Sequence, residues 1–326
     1  MRRREVVTLL GGAAAWPLAA RAQQAGKLPT IGFLGAGTPV TAGPWVAAFA
    51  QRLRELGWIE DRTIRIDLRW AEGRKDRSAE IASEFVRFKV DCIATYSIEH
   101  ALIAKQATAT IPIVATLLGD PLGSGLVTSL ARPGGNLTGL SSQNVDLAGK
   151  RFELLREVVP ALRRLAILFN MNNPNSALEI DIVRRAARPL DLDVSAAEIR
   201  PAEDFAHAFA AIKAAQADAV FVVGDPLTLV NRSRILTLAL TARLPTVFVT
   251  REAVEAGGLM SYGPNYPGLF RRAAEYVDKI LRGSKPGDLP IEQPTKYDLV
   301  INLTTAKALD LAIPESFLLR ANEVIE

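Results

Sequence analysis

The sequence predicts an α/β protein built as two doubly wound lobes, and three observations carry that expectation. Short apolar runs recur along the chain, at Thr30–Gly35, Ile64–Trp70, Asp91–Tyr96, Ile111–Leu118, Leu165–Asn170, Asp193–Ile199, Ala219–Gly224 and Thr246–Thr250. Between them lie segments with helical spacing, such as Val46, Phe49, Leu53 and Leu56, or Phe270, Ala273, Ala274, Val277 and Ile280. The tetrapeptide Gly-Asp-Pro-Leu occurs twice, at Gly119–Leu122 and Gly224–Leu227, each time directly after an apolar run.

Each observation has a physical reading. IGFLG, LAILFN and AVFVVG are apolar without alternation, as strands covered on both faces of a parallel sheet must be. Strand and helix in steady alternation predict a doubly wound arrangement. The repeated tetrapeptide marks the same strand-to-helix junction in two similar lobes. Three crossings between lobes are expected: near Gly139–Leu147, at Tyr262-Gly263-Pro264, and in the Pro- and Gly-rich Pro286–Pro294. The lobes then comprise residues 27–141 plus 264–288 and residues 142–263 plus 289–326.

The first 22 residues read as an address rather than as fold. Arg2, Arg3 and Arg4 precede a mostly apolar stretch from Val6 to Ala15, Pro17 interrupts any helix, and Ala20-Arg21-Ala22 offers small residues before Gln23. This is the pattern of a signal peptide cleaved between Ala22 and Gln23. The stretch is shorter than the ~20 residues a membrane anchor needs. The paired arginines and Arg21 favour the twin-arginine route over the general one, although Val6 stands where a phenylalanine is commoner. The expected location is the periplasm. The lone Cys92 lies in an apolar run, so no intramolecular disulfide forms, and no cysteine follows the apolar stretch to carry a lipid.

Charge excludes one class of partner. Four arginines and one glutamate fall within residues 1–22, so the formal net charge of +4 drops to +1 without them. The remaining basic residues are interspersed with acidic ones and give no footprint for nucleic acid.

In open α/β sheets, ligands sit beyond the carboxyl ends of the strands. Those ends share a chemistry here: Thr38-Pro39, Asp120-Pro121, Asn173-Pro174 and Asp225-Pro226 each place a capping residue before a proline. This fixes a helix start and turns free backbone N–H groups toward the crevice. The plainer reading of each is a helix cap and nothing more. Ser97 is a fifth such position. Arg251 and Glu252 follow a strand in the same way, with a solvated surface pair as the alternative. Tyr96 and Tyr262 are the aromatics placed to stack on a ligand or to pack a hinge, whereas Trp58 and Trp70 read as packing.

Catalysis finds little support. His100 and His207 are the only imidazoles; the first has no evident nucleophile or acid beside it, and the second falls within a helical pattern at Glu203–Ala215. GxSxG, HExxH, CxxC and Walker motifs do not occur, and Gly32–Gly37 lacks the order of a dinucleotide loop. No cofactor and no metal are expected.

Several long strings carry a resemblance: LRELGW, RWAEGRKDR, AKQATATIPIV, GDPLGSGLVTSLARPGGNLTGLS, REAVEAGGLMSYGPN and DLPIEQPTKYDLVINLTTAKALDLAIP. Through them the chain resembles the ABC-transporter substrate-binding family that includes tryptophan and other aromatic amino-acid binders. The resemblance implies a type I periplasmic binding protein, with two Rossmann-like lobes and a three-crossover hinge that closes on a ligand. It further implies a monomer that takes up a small molecule, an amino acid or aromatic metabolite, and hands it to an ABC permease. Ser97, Asp120, Asn170, Asp225 and Glu252 stand where that family lines its cleft. One stretch departs: Tyr96-Ser97-Ile98-Glu99-His100 replaces the family's Gly-Thr-Pro-Ala type of turn. A module that senses a ligand for a separate receptor is the alternative, and an enzyme on the same fold is a more distant one.

Overall fold

A computed structural model describes residues 27–173 and 176–326. The signal peptide, its cleavage site and Pro174 lie outside the described residues.

The first lobe winds β1 (Thr30–Gly35), α1 (Pro39–Glu55), β2 (Arg65–Trp70), α2 (Lys75–Phe88), β3 (Cys92–Tyr96), α3 (Ile98–Ala107), β4 (Ile113–Leu118) and β5 (Leu137–Ser141) into a parallel sheet of order β2-β1-β3-β4-β5. Its inner strands β1, β3 and β4 are largely apolar because both faces are covered, whereas the edge strand β2, Arg-Ile-Asp-Leu-Arg-Trp, is partly exposed. Ile31 and Phe33 join Trp45, Phe49, Phe270 and Val277 on one face. Leu34 and Ile93 join Ile81, Phe85 and Ala101 on the other. At the β4–β5 pairing a side chain is impossible: Gly139 has φ +152°, and a Cβ there would sit 1.7 Å from the Ala115 carbonyl oxygen.

The second lobe opens with α4 (Ala148–Val158) and continues through β6 (Arg164–Asn170), α5 (Ser176–Ala187), β7 (Asp193–Ile199), α6 (Phe205–Ala214) and β8 (Ala219–Val222). Two short steps follow, α7 (Pro226–Val230) and α8 (Arg232–Thr241), then β9 (Thr246–Phe248), α9 (Arg251–Glu255) and β10 (Met260–Pro264). Next comes α10 (Tyr266–Leu281), and the lobe is completed by β11 (Tyr297–Asn302), α11 (Leu303–Ala308), α12 (Glu315–Leu318) and β12 (Glu323–Ile325). The sheet order is β12-β11-β10-β9-β8-β6-β7, parallel except where β10 meets β11.

Helix α10 belongs to the first lobe although it follows β10 in the chain. It lies along α1, with Arg52 bonded to Glu275, Arg271 to Glu55, and Trp58 Nε1 donating to Asp278 at 2.8 Å. Leu289–Glu292 also stay with that lobe: Thr138 Oγ1 donates to the Leu289 carbonyl at 2.8 Å, and Ile291 N donates to Leu130 O at 2.7 Å. The third crossing therefore comes after Glu292, four residues beyond the expected 288/289 boundary.

The two Gly-Asp-Pro-Leu segments are not equivalent. Asp225 caps α7 in a box with Thr228, whereas Pro121–Gly125 form turns with no helix, and Asp120 Oδ1 accepts only from Gly123 N at 2.8 Å. The difference follows from what comes next. Gly123-Ser124-Gly125 is poor helix material, each glycine costing about 1 kcal/mol, and Gly125 has φ +69°. The second copy continues with Thr228-Leu229-Val230, which carries the helix.

Candidate functional site

The carboxyl ends of both sheets meet at a cleft. Its main cavity encloses about 620 Å³ of atom-free space, mouth included, and a second part of about 570 Å³ shares Ser97, Asn144, Gly224 and Pro226 with it.

One wall is aromatic and comes from the first lobe. Trp45 on α1, Tyr96 at the end of β3 and Tyr266 at the start of α10 meet edge to face, with ring centroids 6.1 Å (Trp45–Tyr96) and 5.0 Å (Trp45–Tyr266) apart. Tyr96 also packs on Phe270, and its hydroxyl accepts from Gly37 N at 2.6 Å, which ties β3 to the end of β1. Burial raises its phenol pKa, so it stays protonated.

Ser97 links that wall to α3. Its φ of +69° is rare for a residue with a side chain, and it is held there because Ser97 N donates to Thr116 O while Oγ accepts from His100 N. Ser97 Oγ lies 2.9 Å from His100 Nδ1, so a hydroxyl does stand beside that imidazole, contrary to the sequence reading. The reason is helical spacing: a cap at Ser97 puts the third following residue against its oxygen. The pair lacks a third group, since His100 Nε2 is buried with no hydrogen-bond partner. Burial pushes the imidazole pKa down to about 4, leaving it neutral.

The opposite wall comes from the second lobe and includes Val222, Asp225, Pro226, Arg232, Phe248 and Thr250. Asp225 is 5% exposed, and three donors hold its carboxylate. Oδ1 accepts from Asn170 Nδ2 at 3.0 Å and Leu227 N at 2.8 Å, and Oδ2 accepts from Asn173 Nδ2 at 3.0 Å. Burial raises its pKa and these bonds oppose the rise.

Contacts across the cleft hold the lobes together. Trp45 Nε1 donates to Glu252 Oε1, and Gly73 faces the backbone of Pro226 and Leu227. Glu99, on the first lobe, feels the charge of Asp225 on the second. Burial first, then Asp225, raises its pKa to about 7, against the pull of Lys75. At the hinge, fully buried Arg151 reaches from α4 to both crossing strands: Nε donates to Tyr262 O at 2.6 Å and Nη2 to Asn144 Oδ1 at 3.1 Å.

Of the residues expected at the site, Tyr96, Ser97, Asn173, Asp225 and Pro226 line the cleft, and Asn170 supports Asp225 from behind. Thr38, Asp120 and Pro121 lie outside its walls; Thr38 serves α1 as a capping box with Thr41. Arg251 pairs with Glu255 and Glu323 rather than with Glu252, which is bonded to Trp45, and the two border a small side pocket. Tyr262 packs at a tilt against Tyr297 within the hinge, ring centroids 5.9 Å apart. His207 is exposed on α6. Trp45, Tyr266, Phe248 and Arg232 were not singled out from sequence. The available signal was position, because residues within a turn or two of a helix start share the strand's end with its cap.

The titrating pair gives a pH signature with opposed signs. Between about pH 4.5 and 7 the folded protein holds a proton on Glu99 that the unfolded chain has released, so stability falls as pH rises. Between about pH 4 and 6.5 the unfolded chain protonates His100 while the fold keeps it neutral, so that contribution, at most about 3 kcal/mol, is lost as pH falls. Glu99→Gln removes the first slope and exposes the second. Urea unfolding of the ligand-free variant is expected to show stability climbing more steeply from pH 4.5 to 6.5 than wild type. Parallel curves would mean Glu99 titrates as it does in water.

Comparisons with known proteins decide the family. The sequence pattern of the family described as ABC transporter substrate binding protein matches residues 45–325. The chain belongs to that family. A tyrosine-binding protein of Clostridioides difficile (strain R20291) is 29% identical over 264 residues, covering 81% of this chain and 75% of the relative. An ABC-domain protein from Streptococcus pneumonia, solved in complex with L-Trp, superposes with a TM-score of 0.86 at 25% identity, over 92% of this chain and all of that one. A ligand-free, open substrate-binding protein with adhesive properties from Clostridium difficile gives 0.67 at 26% identity, over 91% of this chain and 99% of that one. At nearly equal identity this ABC substrate-binding protein thus fits the L-Trp complex better than the open structure, in keeping with its contacts across the cleft.

Proposed function

We propose that the chain is the periplasmic solute-binding protein of an ABC importer, exported by the twin-arginine route and acting as a monomer without chemical turnover. It captures a small ligand, an amino acid or aromatic metabolite, between the lobe of residues 27–141 plus 264–292 and the lobe of residues 142–263 plus 293–326, and presents the closed form to a membrane permease. The observation that carries this reading is the composition of the cleft: aromatic rings on one lobe face a largely apolar wall on the other that carries Asp225, Arg232 and Thr250. A ligand that touches both walls favours the closed state through contacts it cannot make when the lobes part. The tyrosine- and tryptophan-binding relatives support the ligand class.

Thermal unfolding of the protein lacking residues 1–22, screened against amino acids and aromatic acids, tests this. A ligand at 100 times its Kd adds about 2.7 kcal/mol, enough to raise Tm by roughly 4 °C in a protein of this size. The compound should be recovered unchanged. A screen that moves nothing, or a hit that is consumed, would refute the proposal.

A further inference from the structure

Arg232 opens α8 on the second-lobe wall of the main cavity. Its Nε and Nη1 are both shielded from solvent and have no hydrogen-bond partner among the described residues, and no carboxylate lies within ion-pair distance of it. The guanidinium is a cation with donors only, so the site carries a positive charge with unspent donors. The surrounding wall cannot satisfy it. Val222, Val223, Phe248 and Val249 are apolar, and Asp225, the acid on the same wall, is already held by Asn170, Asn173 and the Leu227 amide. The free N–H groups at the start of α8 add positive potential in the same place. Unpaired buried donors are expensive, and a cation beside an aromatic wall is resolved most economically by an anion that has an apolar body.

We propose, building on the solute-binding reading above, that Arg232 receives the ligand's carboxylate and that the ligand is a small aromatic acid. The carboxylate is essential, and an ammonium group is dispensable because Asp225 is committed to the wall itself. The aromatic body lies against Trp45, Tyr96 and Tyr266.

The test uses three probes that differ by one group: L-tyrosine, 3-(4-hydroxyphenyl)propionate, which lacks the amine, and tyramine, which lacks the carboxylate. Titration calorimetry on the protein without residues 1–22 is expected to show both acids binding within about tenfold of each other and tyramine not binding. Arg232→Met should weaken both acids by about 10- to 100-fold, the scale of a charged hydrogen bond, while Arg232→Lys recovers part of the loss. Should the Met variant fail to fold, Arg232→Gln takes its place. Acids that bind the variant as tightly as wild type, or tyramine that binds as tightly as the acids, would overturn the role of Arg232 and leave the solute-binding reading standing. If none of the three binds wild type, the aromatic-acid assignment falls. The solute-binding reading falls with it only if the wider thermal screen is also silent.

Discussion

Trp45→Ala is expected to destabilise the ligand-free protein by about 3–5 kcal/mol, as removal of large buried aromatics does. The indole is 1% exposed and touches Tyr96, Tyr266 and Phe270, so truncation opens the first lobe's core where it meets the cleft. Trp45→Phe separates packing from closure. It keeps most of the ring contact but loses the N–H that Glu252 accepts across the cleft, and Glu252 Oε2 is already buried without a partner. That bond exists only when the lobes are together. The phenylalanine variant should therefore unfold close to wild type yet bind its ligand roughly tenfold more weakly, the equivalent of about 1.4 kcal/mol. Small-angle scattering should show more of the open form at equal ligand concentration. A Trp45→Phe protein with unaltered affinity and scattering would reduce Trp45 to a core residue.

Asp225→Ala is the second large effect. The carboxylate caps α7 and holds Asn170 and Asn173, so its loss removes a cap worth about 1 kcal/mol and takes away the hydrogen bonds it accepts from the two amides, at about 1–3 kcal/mol. We expect a stability loss of about 2–4 kcal/mol in urea unfolding, together with weaker binding because the second-lobe wall loses its shape. Asp225→Asn keeps the volume and an oxygen for Leu227 N, and should restore at least half of the stability. If alanine costs under 1 kcal/mol, the network does not hold the wall.

Much of this was legible in the sequence, for physical reasons that also mark the limit. Strands such as Ile31–Gly35 and Leu165–Asn170 announce themselves because burial on both faces forces continuous apolarity. Ser97 and Asp225 were found because a cap at a strand's end is both a local signal and a place in the topology. Trp45 and Tyr266 were hidden by the same logic, since a helix residue facing a cleft repeats at the same interval as one facing a core. Arg232 was invisible until the five-residue length of α7 was known, because only a short first helix returns the next one to the cavity. Asp120 misled by identity with Asp225, when the glycines after it decide what backbone it caps.

The placement of α10 sets the order in which the chain can fold. Phe33, Trp45 and Phe49 near the amino end are covered by Tyr266, Phe270 and Val277, so roughly 220–240 residues separate the partners of one core. Closing so long a loop is slow, and a nascent chain growing from its amino end must carry that apolar face unprotected until α10 emerges. The second lobe waits in turn for β11 and β12. A contiguous fragment ending at Pro264 would contain the whole first sheet without the helix that covers it, and the second sheet without β11 and β12, so the chain assembles as one kinetic unit whose late segments close both halves.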